Sequence, residues 1–192
     1  MTAISKRQLA TVIAGGAALS LVVGCIGTLV GTDAVASARL GARYTGRLSF
    51  VLFAALFALG PQRGDAGVRS AILGWPGLAS AHLVHLGFLL RYLSMAEHAP
   101  APGRLAGGVV GYVVLLALAA GHLGAARAGS VSPRLARGSH LGGAYLTVAF
   151  VLTYLPRITK PQIVGVEEWW GYAAMLAVAV ALPVIRWVRR RG

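Results

Sequence analysis

Negative charge is what this sequence has least of. Its 192 residues contain five Asp and Glu against 18 Lys and Arg, and only 12% of them are charged. A soluble domain carries about 25% charged residues, whereas 57% of this chain is hydrophobic and its mean hydropathy is +0.72. A soluble fold of this length cannot bury so much apolar surface, because a small domain keeps a large exposed surface. The composition therefore excludes an ordinary water-soluble enzyme and an intrinsically disordered chain.

Cysteine and the common nucleotide-binding and nucleophile motifs are also scarce. Cys25 is the single cysteine, so the chain has no internal disulfide and no zinc or iron–sulfur site built from cysteines. The sequence lacks a P-loop, a Gly-x-Gly-x-x-Gly turn between a strand and a helix, and a serine nucleophile elbow. All five acids lie in or near the predicted loops, which argues against zinc and against a proton-coupled transporter. Five histidines remain as candidate ligands.

Long apolar runs are what the sequence has in abundance, and a membrane span needs about 20 apolar residues. The runs are continuous rather than alternating, which favours helices over a β-barrel. The pattern predicts an all-α, polytopic membrane bundle of about six transmembrane helices that forms one domain over residues 1–192. The predicted spans lie near 9–31, 44–61, 72–94, 105–124, 134–156 and 168–188.

The excess of positive charge lies at the ends of these spans. Six spans place both termini on one side, and that side holds 11 of the 18 Lys and Arg. The positive-inside rule therefore places both termini in the cytoplasm, with Arg186–Arg191 as the strongest anchor. We expect a multi-pass protein of the bacterial inner membrane whose basic residues meet lipid headgroups, with no nucleic-acid partner.

The N-terminal segment allows a second interpretation. Lys6, Arg7 and an apolar run that ends in Val-Val-Gly-Cys25 resemble a lipoprotein signal, in which the cysteine is lipidated. The apolar run continues past Cys25 to Val30, however, and this favours a full span. In that case Cys25 is a small apolar packing residue.

Two histidines lie inside the predicted third span and a third begins the fifth. His82 and His85 are three residues apart and so share one helix face. Ionisable side chains at membrane depth are costly and usually face the bundle interior. One interpretation is a pair of histidines hydrogen-bonded to neighbouring helices. The other is axial ligation of haem iron, with His82 or His85 paired to His140.

Depth decides whether that pairing is possible, because two axial ligands of one iron need nearly the same height. If the third span enters the membrane at Trp75–Pro76, with proline at the helix start, His82 and His140 both lie about 10 Å deep. If the third helix begins near Arg69, the mismatch grows to about 10 Å and the pairing fails. The sequence leaves both registers open.

Other residues have secondary roles in this hypothesis. Arg47 and Arg69 are candidate partners of the haem propionates, although each is also a candidate topology anchor. His122 ends the fourth span and is the reserve partner for His140. We interpret His98, in a loop beside Glu97, as solvated.

Together, these segments resemble the ferric-reductase-like transmembrane domain family, and most closely the haem-binding membrane subunits of periplasmic methionine-sulfoxide reductase systems. The resemblance covers Tyr44 to Arg191. Its motifs are Tyr44-Thr-Gly-Arg47 leading into Gly60-Pro61, the Arg69–Gly74 segment before the histidine pair and Leu90–Leu93 after it, Ser139-His140-Leu141 with Tyr145, and Glu168 with Tyr172 before a basic tail.

The resemblance implies a six-helix b-type cytochrome. Such a protein passes electrons from a cytoplasmic flavin reductase or from quinol to an acceptor on the far face, and His82 or His85 with His140 match its haem ligands. Family members often have a second histidine 13 positions after the one on the fifth helix. That position is Thr153 here, so the resemblance implies one haem b rather than two.

Two further functions compete with the cytochrome. The chain is short and has no soluble domain, which is typical of a non-redox subunit or transporter-like component of a larger membrane complex with structural histidines. An enzyme acting on lipid would need clustered acids, and the only adjacent pair, Glu167 and Glu168, lies beside Trp169 and Trp170, where an interfacial anchor is expected.

The predicted topology can be tested with reporters fused to the C-terminus. A fluorescent protein that matures only in the cytoplasm is expected to fluoresce there, whereas alkaline phosphatase at the same position is expected to be inactive, because it needs an oxidising compartment. Active phosphatase with a dark fluorescent reporter would reverse the predicted orientation.

Overall fold

The computed structural model describes residues 4–59, 65–96, 102–159 and 166–191. These residues form six helices and confirm the predicted all-α bundle. The helices are α1 (Lys6–Leu29), α2 (Ala34–Leu59), α3 (Asp65–Met95), α4 (Pro102–Ala128), α5 (Pro133–Thr159) and α6 (Val166–Arg191).

Five of the six helices are long and apolar enough to cross a membrane, which makes the protein a multi-pass integral membrane protein. They are α1, α3, α4, α5 and α6. Helix α2 has 26 residues and is about 39 Å long, so its length suffices, but its first half contains Arg39, Arg43 and Arg47. These arginines lower the mean hydropathy of α2 and distinguish it from the other five helices.

Local hydrogen bonds explain where several helices begin and end. Ser5 and Gln8 form a reciprocal capping box at the start of α1. The carboxylate of Asp33 accepts a bond from the Ala36 amide at 2.8 Å and starts α2. Ser132 caps α5 in the same way, while Gly129, with φ of 68°, follows the last residue of α4.

Helices α2 and α3 begin well before their predicted spans, whereas the other four begin within three residues of theirs. Helix α2 starts at Ala34 rather than 44, because the Asp33 cap nucleates a helix in the polar segment before the apolar run. Helix α3 starts at Asp65, and Pro76 lies inside it. A proline at this position removes one backbone hydrogen bond, which membrane helices tolerate when neighbouring helices pack around the site.

Helices α2 to α6 form a closed ring, because each packs against the next and α6 packs back against α2. The centre of the ring holds most of the buried apolar side chains, including Phe50, Phe53, Leu118, Leu146 and Leu182. Helix α1 lies outside the ring, in the groove between α2 and α3. We call the end where α2, α4 and α6 finish the C-terminal end, and the other the opposite end.

Glycines let α1 approach the ring closely. A Cβ atom at Gly16 would lie 2.4 Å from the Gly77 carbonyl oxygen, and one at Gly27 would lie 2.8 Å from the Leu40 oxygen. Such close backbone contact is the usual way in which helices associate in lipid. Ser20 and Ser80 strengthen this interface, because each donates a hydrogen bond to a carbonyl of the other helix.

The neighbouring glycines 15 and 16 provide a matched test of this packing. We expect Gly16→Ala to destabilise the protein by about 1–3 kcal/mol, because the new methyl group overlaps the α3 backbone. A methyl group at Gly15 would have no atom within 4 Å, so Gly15→Ala is expected to leave the melting temperature unchanged or to raise it slightly. Thermal unfolding in detergent measures both, and equal melting temperatures would contradict the close approach.

Candidate functional site

His85 is held in one tautomer by a hydroxyl of α2. The Oγ1 atom of Thr45 lies 2.9 Å from Nδ1 of His85 and 2.8 Å from the carbonyl oxygen of Gly41. A carbonyl only accepts, so we assign the single hydroxyl hydrogen to the carbonyl of Gly41 or to that of Ala42, at 3.1 Å, and the imidazole then donates from Nδ1. The Nε2 atom of His85 therefore has a lone pair, which is the form of histidine that binds metal ions.

A glycine on α2 makes room for this ring. A Cβ atom at Gly46 would lie 3.1 Å from Cε1 of His85, so even alanine would press on the imidazole. Thr45 orients the ring and Gly46 accommodates it. The Tyr44-Thr-Gly-Arg47 motif contains both residues, but neither was identified as a histidine partner from the sequence, because only tertiary contact brings α2 to α3.

His82 lies one helical turn before His85 and faces α4. Its ring centroid lies 5.2 Å from that of His85 and 4.6 Å from that of Tyr112. The Tyr112 hydroxyl donates to the His82 carbonyl oxygen at 3.2 Å. The Nδ1 atom of His82 is buried without a hydrogen-bond partner. Such an atom is costly inside a membrane unless a ligand or water satisfies it.

Arg47 lies at the same depth as His85, because it follows Thr45 and Gly46 on α2. Its guanidinium carbon lies 4.9 Å from the ring centroid of Tyr172 and 5.8 Å from that of Tyr44. Its Nε and Nη2 atoms are buried and have no hydrogen-bond partner. This region of the bundle therefore presents N–H donors and positive charge close to the depth of the two histidines.

The structure places His140 at a different depth. The Trp75 ring of α3 is nearly parallel to the His122 ring of α4, and His122 Nε2 lies 2.9 Å from Oγ of Ser139 on α5. His140 is thus level with Trp75, seven residues before His82, and the offset is about 10 Å. Of the two registers that the sequence left open, this is the one in which His82 and His140 do not meet.

Aromatic side chains of α2 pack against α5 inside the bundle. The Phe150 ring lies 5.0 Å from that of Phe50 and 5.3 Å from that of Phe53. Gly143 packs against the ring of Phe57. The described packing brings His82 and His85 together, places Arg47 at their depth on α2, and leaves His140 about 10 Å away along the bundle axis.

Arg69 is also far from the histidine pair. It lies on α3 thirteen residues before His82, a distance of about 20 Å along the helix. It is partly exposed near the C-terminal end of the bundle, where it fits the role of an anchor. His98 lies outside the described residues.

The cluster holds few candidate ligands for a bare metal ion. Among the residues that the structure describes, no three His, Cys, Asp or Glu side chains come together as a metal-binding group. Haem needs only one or two axial ligands, because the porphyrin supplies the other four. His85 and Arg47 lie at one depth of the bundle, whereas His140 and Arg69 lie nearer its C-terminal end.

Comparisons of the chain with family models, with curated proteins and with solved structures find no match. Its function therefore has to be inferred from the residues and their geometry.

The hydrogen bond between Thr45 and His85 can be tested with an isosteric substitution. We expect Thr45→Val to lower the free energy of unfolding by about 0.5–1.5 kcal/mol, because His85 loses the hydrogen bond to the hydroxyl and keeps the one to the Ala42 backbone. Thr153→Val is the matched control, since that hydroxyl bonds only the Ala149 carbonyl of its own helix and is exposed. Thermal unfolding in detergent compares the two variants, and equal stability would contradict the assigned bond.

Proposed function

We propose that this protein is a membrane-embedded electron-transfer subunit that binds one b-type haem, with His85 as an axial ligand of the iron. The observation on which the proposal depends is the hydrogen bond from His85 Nδ1 to Thr45. A histidine that ligates a metal almost always donates its other ring N–H to a fixed acceptor, which sets the ring orientation. His82 is the alternative ligand on the same helix face.

Arg47 supports the same proposal through charge. A haem propionate is an anion. Burying it inside the bundle requires a positively charged group that donates N–H hydrogen bonds to it. The buried Nε and Nη2 atoms of Arg47 would supply them. Satisfying these atoms would also remove the cost of leaving them without partners.

When bound, haem would supply one-electron transfer, and the protein would supply an axial ligand, a propionate partner and a region without water. The resemblance to ferric-reductase-like proteins adds a direction, from a cytoplasmic flavin reductase or quinol to an acceptor on the far face. A bundle of membrane helices would depend on such a partner or on a larger complex for the chemistry at either end. His140 and Arg69 stay sequence predictions, and the proposal does not use them.

A second candidate function is that of a non-redox membrane subunit with structural histidines. The observation in its favour is that aromatic and leucine side chains fill the centre of the bundle, where α2 packs against α5. The bonds of His85 and His122 to hydroxyl groups would then serve only to join helices. This function predicts that the purified protein contains no haem.

Visible absorption of the purified protein in detergent, oxidised and then reduced with dithionite, separates the two functions. We expect a b-type α band and a shifted Soret band on reduction, with one haem per chain in a pyridine haemochrome assay. His85→Ala is expected to lose most of the bound haem, because it removes the oriented lone pair. Arg47→Gln is expected to keep the Soret band but to bind haem more weakly.

His140→Ala is the matched histidine variant, and we expect it to keep the spectrum of the unmodified protein because His140 lies at another depth. Loss of haem in His140→Ala with retention in His85→Ala would restore the pairing that the sequence suggested and contradict the assigned ligand. A colourless protein produced with ample haem would favour the non-redox subunit.

A further inference from the structure

An apolar groove runs along the outer side of α6, away from the residues of the proposed function. Its lining consists of Ile158 on α5 and six residues of α6 between Ala173 and Val184, all of them apolar. Val180 and Val184 are 59% and 61% exposed, so the groove is open to the membrane rather than covered by a neighbouring helix. We call it the α6 groove.

The dimensions of the α6 groove match those of one acyl chain. Between Ala173 and Val184 it follows α6 for 11 residues, or about 16 Å. The hydrocarbon core of a bilayer is about 30 Å thick, so the chains of one leaflet span about 15 Å. The volume of the groove is about 570 Å³, which lies within the roughly 300–1,000 Å³ of typical ligand sites. An acyl chain therefore fits the groove in length, volume and polarity.

The end of the groove at Ile158 lies near the membrane surface. Helix α5 ends one residue later, at Thr159. The Nε1 atom of Trp169 donates to the Ile158 carbonyl oxygen at 3.1 Å, and the neighbouring Trp170 is 69% exposed. Tryptophan is enriched where lipid headgroups meet hydrocarbon. A lipid in the groove would therefore have its headgroup beside Ile158 and its acyl chain directed into the membrane.

Arg157 provides a positive charge at this end of the groove. It directly precedes Ile158 and is only partly buried. Its guanidinium carbon lies 5.2 Å from the ring centroid of Tyr172, and its Nη1 atom donates to the Thr153 carbonyl oxygen. These contacts hold the guanidinium in place and occupy one of its five N–H groups. The others remain to donate to an anion that approaches from the lipid.

Two other arginines are buried more deeply. Arg186 lies at the C-terminal end, where it shares the wall of a small cavity with His122 and donates from Nη1 to the Phe57 carbonyl oxygen at 3.3 Å. The guanidinium carbon of Arg47 lies 4.9 Å from the same tyrosine ring that Arg157 contacts, but its Nε and Nη2 atoms are buried. Arg157 is thus the one of the three that meets a headgroup. The nearby charge of Arg47 adds to the field there and favours a ligand of net negative charge.

We propose that the α6 groove binds one anionic phospholipid, with an acyl chain along α6 and the phosphate at Arg157. The chain matches the apolar lining, and the headgroup matches the positive charge at its end. Inorganic phosphate would leave the apolar lining uncovered, and a zwitterionic lipid would fill the groove without matching the net charge. Binding does not depend on haem, so this inference is independent of the proposed function.

Native mass spectrometry of the purified protein in detergent tests the proposal. The protein is titrated with dioleoyl phosphatidylglycerol or with dioleoyl phosphatidylcholine, which have the same chains and differ in net charge. We expect one phosphatidylglycerol per chain, bound about fivefold more tightly than phosphatidylcholine, or by ~1 kcal/mol. Arg157→Gln is expected to remove this preference. Arg39→Gln, which changes an exposed arginine of α2 at the same end of the bundle, is the control and is expected to keep it.

A second pair of variants changes the groove and leaves its charge intact. Ala177→Phe places a ring in the groove and is expected to weaken the binding of both lipids. Ala174→Phe is the matched control, because Ala174 is also exposed on α6 but does not line the groove. We expect it to bind phosphatidylglycerol normally. Both alanines lie outside the core, so both variants are expected to fold, and their melting temperatures check this.

Two results would overturn the proposal. One is equal binding of the two lipids, or a preference for phosphatidylglycerol that survives Arg157→Gln. The other is unchanged binding of phosphatidylglycerol in Ala177→Phe, which would place the lipid elsewhere on the protein. The absorption spectrum of the same samples separates these outcomes from the proposed function. A colourless protein that binds phosphatidylglycerol as expected contradicts only the haem, and a haem protein without the lipid preference contradicts only the lipid site.

Discussion

The polar interior of this bundle depends on one constraint, which is that a hydroxyl group has a single hydrogen to give. Inside a membrane helix that hydrogen goes to a carbonyl one turn back, as it does at Thr45 and Ser139. The oxygen can then only accept, so the histidine beside it must donate. In both cases a serine or threonine on one helix fixes the tautomer of a histidine on another and leaves the second ring nitrogen as an acceptor. The two sites differ in the nitrogen that is left, Nε2 at His85 and Nδ1 at His122.

Charge and packing place these two sites at different depths. Arg47 lies at the depth of His85, and Arg186 lies on the wall of the cavity with His122. Between the two depths the ring of helices is filled by Phe50 and Phe53 with their aromatic and leucine neighbours. Each buried arginine contacts aromatic rings, which partly offset the loss of water around a guanidinium. The two histidine–arginine groups thus lie in separate layers with a mainly apolar layer between them.

The fold class was predictable from the sequence, because the length and continuity of apolar runs leave few alternatives in lipid. The starts of α2 and α3 were not predictable. Helix α2 begins at a cap formed by a single hydrogen bond of Asp33. Helix α3 continues through Pro76, where a helix of a soluble protein would usually end. The candidate histidines at 82 and 85 were found because ionisable residues are rare at membrane depth. Their partner Thr45 was missed, and so was the pairing of His122 with Ser139. Both contacts depend on how far the helices are shifted along the bundle axis relative to one another. A shift of α3 by two helical turns is enough to place His82 and His140 at different depths.

The bond from Arg186 to the carbonyl of Phe57 joins residues 129 positions apart in the chain. All other helix pairs of the ring are neighbours in sequence, so each can form as soon as its second helix enters the membrane. Closure between α2 and α6 has to wait until the last helix is synthesised, and it carries the largest loop-closure entropy in the protein. Until then the contact of Arg186 with Phe57 is missing, and α2 lacks its α6 neighbour. The order of synthesis therefore makes ring closure the final step of assembly, and a chain that stops before α6 would remain an open sheet of helices.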